Sequence, residues 1–414
     1  MTVLRARVLT PVAPWRVRYL DDAVVVVDSA GRFAEVAPWD GRAVDEDLRP
    51  GLLLPGFVDA HLHFPQLRIV GAASGPLCDW LARSTYPEEE RFADAEHAER
   101  VAGMFCRCLA AAGTTLAFVY GSVHPTAAHA LFAALERGGL RAIAGPVLMD
   151  EHCPEALQLP ADQALPALAA LADRWHGQDG RLQVAAIPRF ALCCSMELMR
   201  GAARLARERG LWVSTHLSES VDECRAATAR FGTRDYLEVY ERAELVHDRA
   251  VFAHCVQLSA DEQDRFAAAG SVVAHCPDSN FFLGSGNLPI GELMAREVPV
   301  TVGTDLAAGR SFRVPRILSS AYDNGLATGT VLQPHQLLWW GTRGGALALG
   351  HPQVGAVQPG LEADMVLVDL PGWVEDEEEA LAWVLFDHDA PRPRRTWVRG
   401  RVVWDREHGS FPWT

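Results

Sequence analysis

Along most of this chain, short apolar runs alternate with longer segments in which Ala, Leu and Arg recur at helical spacing. Continuous apolar runs bounded by turn residues predict buried strands, and a three-to-four-residue apolar repeat predicts helices packed by one face. Strands are expected on this basis at Leu52–His61, Thr114–Tyr120, Leu140–Leu148, Leu182–Pro188, Trp212–His216, Ala250–His254, Ser271–His275 and Pro299–Thr304. Helices are expected at Ala95–Ala111, Ala127–Arg137, Ala161–Trp175, Met196–Glu208, Asp235–Tyr240 and Ala260–Ala268. Eight strands mostly separated by helices, with polar residues at the strand ends, predict an α/β fold, a (β/α)8 TIM-type barrel, over residues 51–352.

The pattern is different at both ends. Residues 1–50 read as short strands (Val3–Leu9, Trp15–Tyr19, Ala23–Asp28, Arg32–Ala37) punctuated by Pro11, Pro14 and Ser29-Ala30-Gly31. After a helical stretch at Gln333–Gly350, strand signals return at Ala363–Asp369, Trp383–Phe386, Arg394–Val398 and Arg401–Asp405. The two β-rich ends, 1–50 and 353–414, are expected to combine into one small β-sandwich domain. The acidic run Glu375–Glu379 reads as a solvated loop or a helix start.

Composition narrows the function classes. At 414 residues the chain can bury a large core, and one α/β barrel accounts for most of that length. A net charge of −15 without a basic stripe argues against nucleic acid and anionic membranes as partners. No apolar run is long enough to span a bilayer, and the N-terminal MTVLRARVLTPV does not read as a signal peptide. The 9 cysteines are irregularly placed, with Cys193 and Cys194 adjacent, which fits buried thiols in a reducing, cytoplasmic compartment. All 38 basic residues are arginine. That excludes a phosphate-loop lysine, a Schiff-base lysine and a metal pair bridged by a modified lysine.

The chemistry is expected at the strand ends. In PGFVDAHLHFPQ, Pro55–Gln66, His61 and His63 lie two apart and share one face of a strand. His216 ends the fifth strand, His254 the sixth and His275 the seventh, and Asp305 follows the eighth. Each alone has an ordinary structural reading, a buried imidazole on a carbonyl or an Asp capping a helix. Together they would converge on one rim, the rim where such barrels keep their sites. His61, His63, His216 and Asp305 give a nitrogen-rich set with an open position, suited to a single zinc; iron is an alternative, since this donor set selects weakly. Glu219, three residues after His216, can reach back as the non-ligating general acid/base of a hydrolytic site. His254 is the candidate to hydrogen-bond the nucleophile, and His275 is either a neighbour of the ligands or core. The HxE…PCxxC signature of single-strand nucleic-acid deaminases is absent.

These motifs resemble the amidohydrolase superfamily, in its mononuclear branch that deaminates heterocycles, and within it the guanine deaminases. The segments carrying the resemblance are PGFVDAHLHFPQ, STYPEEERF, RAIAGPVLMD, IPRFALCCS, THLSES, AHCPDSNFFLGSG and GTDLAAGRSF, with GLEADMVLVD similar to the superfamily's closing β-domain. The resemblance implies zinc on His61, His63, His216 and Asp305, one per subunit, and a homodimer. It further implies proton transfer by Glu219 and Asp305, polarisation of the nucleophile by His254, and a base held by Gln66, Arg189 and Phe190. Trp80 and Leu77 are expected to line the pocket. Physical chemistry agrees: an amide side chain and an Arg fork can read a purine edge, and Phe190 offers a π-face. Guanine and water would be the substrates, xanthine and ammonia the products. A related hydrolase of a pterin, 8-oxoguanine or triazine is the rival; a catalytically silent scaffold is disfavoured because every expected ligand is present. Gly75–Arg91 is the candidate lid.

Overall fold

The computed structural model describes residues 1–73, 75–387 and 393–407. Two sheets organise them. The first is built from both chain ends and has seven strands: β1 (Thr2–Ala13), β2 (Arg16–Val27), β3 (Phe33–Pro38), β4 (Glu46–Pro55) and, from the far end, Met365–Val368, Pro393–Val398 and Arg401–Asp405. The C-terminal strands join at β4, which pairs antiparallel with Met365–Val368 and parallel with β1. Leu4, Val25, Phe33, Leu53, Met365 and Trp397 share one core, so strands from the two termini close over a common interior. Residues 408–414, expected to belong to this region, lie outside the described residues.

Three expectations change here. Trp15–Tyr19 and Ala23–Asp28 are one strand, β2: Asp21 and Asp22 do not form a turn but bulge opposite Arg7, and Asp22 accepts a two-pronged ion pair from Arg5 (2.8 and 2.5 Å). The run Leu52–His61 is two strands. β4 belongs to the terminal sheet, and β5 (Phe57–His63) opens the barrel. The chain crosses at Gly56, whose N–H bonds Asp364 O at 3.0 Å; a Cβ there would lie 2.1 Å from Thr115 Oγ1. Finally, Trp383–Phe386 is not a strand but the last turn of helix Glu377–Phe386. Asp376 caps that helix on Glu379 N–H, and the acidic run occupies its first turn, where the helix dipole favours negative charge.

The barrel strands follow as β5, β6 (Thr114–Tyr120), β7 (Arg141–Gly145), β8 (Val147–Leu148, a short strand beside β9), β9 (Leu182–Pro188), β10 (Trp212–Leu217), β11 (Ala250–His254), β12 (Val272–His275) and β13 (Val300–Val302). Every β5 and β6 residue is buried, as a parallel sheet wrapped by helices requires. β5 and β13 close the circle through side chain and backbone: Asp305 N–H bonds His61 O at 2.8 Å, while Asp59 accepts from Thr304 N–H (2.9 Å) and Thr304 Oγ1 (2.6 Å). Barrel and terminal sheet are locked by Arg141 of β7, wholly buried, on Glu362 (2.5 Å) and Asp364 (3.2 Å). No helix among the described residues is long and apolar enough to cross a membrane.

Candidate active site

Four barrel strands deliver the five polar groups. β5 ends on His61 and His63, β10 carries His216, β11 ends on His254, and the turn after β13 presents Asp305. These turns are sharp. His254 (φ 71°) and Asp305 (φ 44°) have left-handed backbones, as does Ser218 (φ 52°) just before Glu219. Such conformations cost about 1–3 kcal/mol each and persist where surrounding contacts dictate them. Gly303 is part of this constraint: a Cβ there would lie 2.6 Å from His61 Cβ.

The predicted groups meet around one point. His61 Nε2 and His63 Nε2 each lie 3.4 Å from Asp305 Oδ1, and His63 Nε2 lies 3.3 Å from His216 Nε2. His61, His216, His254 and Asp305 have ligand atoms all within 4.8 Å of one another. His254 thus stands in this tight group, whereas the expected ligand His63 is not part of it and adjoins it through Asp305 and His216. Protonation separates His254 from the expected ligands. Burial pushes His61 down to about 4 and lowers His63 and His216 as well, leaving three neutral imidazoles with lone pairs. Burial also acts on His254, but Glu219 (3.6 Å) and Asp305 (3.8 Å) outweigh it, and its pKa is raised. Among the described residues both nitrogens of His61, Nδ1 of His63 and Nε2 of His254 have no hydrogen-bond partner, although all are buried. Buried polar atoms are rarely left so. This donor set fits a divalent metal. His216 donates Nδ1–H to Arg189 O (2.7 Å), and His254 Nδ1 meets Asn280 Oδ1 (2.8 Å), which turns each Nε2 inward.

Glu219 sits on the rim without joining the cluster. Its Oε1 accepts from Ser285 Oγ at 2.9 Å, and its backbone N–H is held by Glu223 at 2.9 Å. Burial raises its carboxyl to about 7, the range in which one group can both take and return a proton near neutrality. His275 is buried with neither nitrogen bonded, its pKa pushed down to about 3 by burial; its ring stays neutral.

All this opens into one concave pocket. Gln66, Leu77, Trp80, Arg189, Phe190 and Ala308 line it together with the cluster. The expected lid, Gly75–Arg91, is a chain of short helical turns that includes Leu77–Trp80 and Tyr86–Glu89 and is tied down by Trp80 Nε1–H to Ala72 O, 2.9 Å. Sequence reasoning missed Glu89. It is 1% exposed and accepts from Gln66 Nε2 (2.9 Å) and Arg189 Nη1 (2.5 Å). It also missed Asp59, which holds the Asp305 turn, and Ser285, Asn280 and Glu223. The available signal for Glu89 was a three-Glu run placed directly after Tyr-Pro.

Comparison with known proteins identifies the family. The Amidohydrolase family model matches residues 52–403. The chain is 36% identical to guanine deaminase of Escherichia coli over 94% of its own length and 92% of the relative's. It is 38% identical to a probable guanine deaminase of Deinococcus radiodurans, covering 98% of this chain and 99% of that one. The solved structure of E. coli guanine deaminase superposes with a TM-score of 0.94 at 33% identity, over 98% of this chain and 100% of that chain. A barrel whose strand ends bear this His/Asp cluster, matched over most of its length by the family model, belongs to the amidohydrolase family.

Proposed function

We propose that the chain catalyses the hydrolytic deamination of guanine to xanthine and ammonia. The observation that carries this reading is one pocket that Gln66 and Arg189, both held by the buried Glu89, line together with Phe190, Glu219 and His63, His216, His254 and Asp305. Near-full-length similarity to two proteins named as guanine deaminases supports it. His61, His63, His216 and Asp305 would hold one divalent metal per subunit, zinc by preference and iron as the alternative. Bound there, the metal supplies the Lewis acidity that makes water nucleophilic near neutral pH.

The chain's own residues do the rest. Phe190 stacks on the planar base, and Gln66 and Arg189 hold its edge. Glu219 takes a proton from the attacking water and delivers it to ring N3 as the C2–O bond forms. His254, which favours its protonated state, donates to the oxygen at C2. Asp305 helps pass the remaining proton to the exocyclic amine, the C2–N bond breaks, and ammonia leaves. Water's atoms end in xanthine and ammonia, so the reaction balances.

The test is ammonia release from guanine, with pterin, 8-oxoguanine, cytosine and ammelide in parallel. Turnover of guanine alone is expected. Activity confined to another ring would remove guanine and keep the hydrolytic chemistry; silence across the panel with metal bound would remove guanine and all four alternatives. A cytoplasmic location and a homodimer complete the proposal. All nine cysteines are free thiols, which supports the location. Light scattering tests the dimer.

A further inference from the structure

The chemistry of Glu89 constrains its neighbours more than their identities alone do. An ionised carboxylate has only acceptors. The Gln66 atom 2.9 Å from Glu89 Oε1 is accordingly the amide nitrogen, which donates to it. Gln66 Oε1 then points away from Glu89, and it is buried with no protein partner. One of the two N–H groups of Gln66 is thus committed to Glu89, which fixes the amide with Oε1 as its free acceptor. The same carboxylate takes Nη1 of Arg189, whose guanidinium lies over Tyr86 at 5.6 Å, and leaves the rest of that donor fork for a ligand. Gln66, Arg189 and Glu89 are all at most 2% exposed, so this corner is shielded from bulk solvent.

We infer that Glu89 is a positioning residue that fixes the polarity of the pocket edge, so that the site selects rings presenting an N–H beside a C=O. The inference rests on the guanine reading and deepens it. A lactam edge, such as N1–H with C6=O, matches an acceptor beside a donor. The swapped edge of a 6-aminopurine, bare N1 beside an amino group, meets Gln66 acceptor to acceptor and Arg189 donor to donor. Leaving buried polar groups unpaired in this way is what produces large discrimination between similar rings. Glu89 also neutralises Arg189, which suits an uncharged base.

The experiment measures kcat and KM for guanine, 1-methylguanine and 2,6-diaminopurine, which all carry the 2-amino leaving group. Wild type and the variants E89Q and E89D are compared, with metal content and thermal unfolding recorded for each. Wild type is expected to favour guanine over both analogues at least 100-fold in kcat/KM. In E89Q the amide of Gln66 is free to turn over. Guanine KM should rise at least tenfold with a smaller change in kcat, and the guanine to 2,6-diaminopurine ratio should fall at least tenfold. E89D keeps the charge and should retain more of the ratio than E89Q. An E89Q enzyme with an unchanged ratio overturns the inference. So does a wild type that accepts 1-methylguanine as well as guanine, a result that stands even where E89Q fails to fold. A wild type inactive on guanine overturns the functional reading instead, and the two failures are separable.

Discussion

Glu219 and Asp59 show how single carboxylates divide the labour of this site. The imidazole that Glu219 meets, at 3.6 Å, is His254, which is not one of the four expected ligands, so removing the Glu219 charge should leave the donor set intact. E219Q is expected to keep its metal, measured by elemental analysis, and to lose about 10²–10⁴-fold in kcat, the usual contribution of a general acid/base. Loss of metal in that variant would reassign Glu219 as a ligand. Asp59 is the opposite case. It is fully buried and never faces the pocket, and it grips Thr304 N–H and Oγ1, one residue before Asp305. Its carboxyl is raised to about 7 by burial, and the Thr304 bonds oppose that rise. D59A should therefore weaken metal affinity about 10–100-fold, the usual effect of losing a group that orients a ligand. A chelator competition titration reads this directly, and unchanged affinity would confine Asp59 to barrel closure.

The strands were the legible elements because a parallel barrel imposes a simple pattern. Buried on both faces, β5 to β13 appear as continuous apolar runs, and the polar residue at the end of each run is automatically on the catalytic rim. His61, His63, His216, His254 and Asp305 could be read for that reason. Glu89 could not: its partners Gln66 and Arg189 lie 23 and 100 residues away, and nothing in an acidic run distinguishes a buried Glu from a solvated one. Trp383–Phe386 failed for another reason, since a short apolar aromatic run has no period of its own and the capping Asp376 lies seven residues upstream of it. The crossover at Gly56 was hidden because one apolar run serves two sheets. Arg141 is the price of that sharing, a buried cation that fastens β7 to the terminal sheet. R141A leaves Glu362 and Asp364 buried without it, and should cost about 3–5 kcal/mol in urea unfolding while leaving the pocket's residues in place. A loss below about 1 kcal/mol would mean that Arg399, which also pairs with Glu362 at 2.9 Å, suffices to hold the two sheets.

Across the whole molecule, the same junction makes stability depend on pH. His351 is 1% exposed, and its Nε2 has no partner. Burial, reinforced by Arg141, pushes its pKa down to about 4 from an ordinary 6.5. In the unfolded chain His351 binds a proton below about 6.5, whereas in the fold it does not until about 4. Its stabilising contribution is therefore complete above pH 6.5 and is lost as pH falls through that window. At 1.4 kcal/mol per unit, the loss between pH 7 and pH 5 is on the order of 2 kcal/mol. An acidic chain at net −15 would otherwise gain from mild acidification, because self-repulsion falls as carboxylates are protonated. The two effects oppose each other, so the variant isolates the histidine. H351N cannot be protonated, and its urea-unfolding free energy should fall about 2 kcal/mol less than wild type's between pH 7 and pH 5. Both proteins are measured with metal bound, so acid release of the metal affects them alike. Equal losses in the two proteins would show that His351 is protonated in the fold at pH 5 and that the Arg141 junction does not set the acid limit.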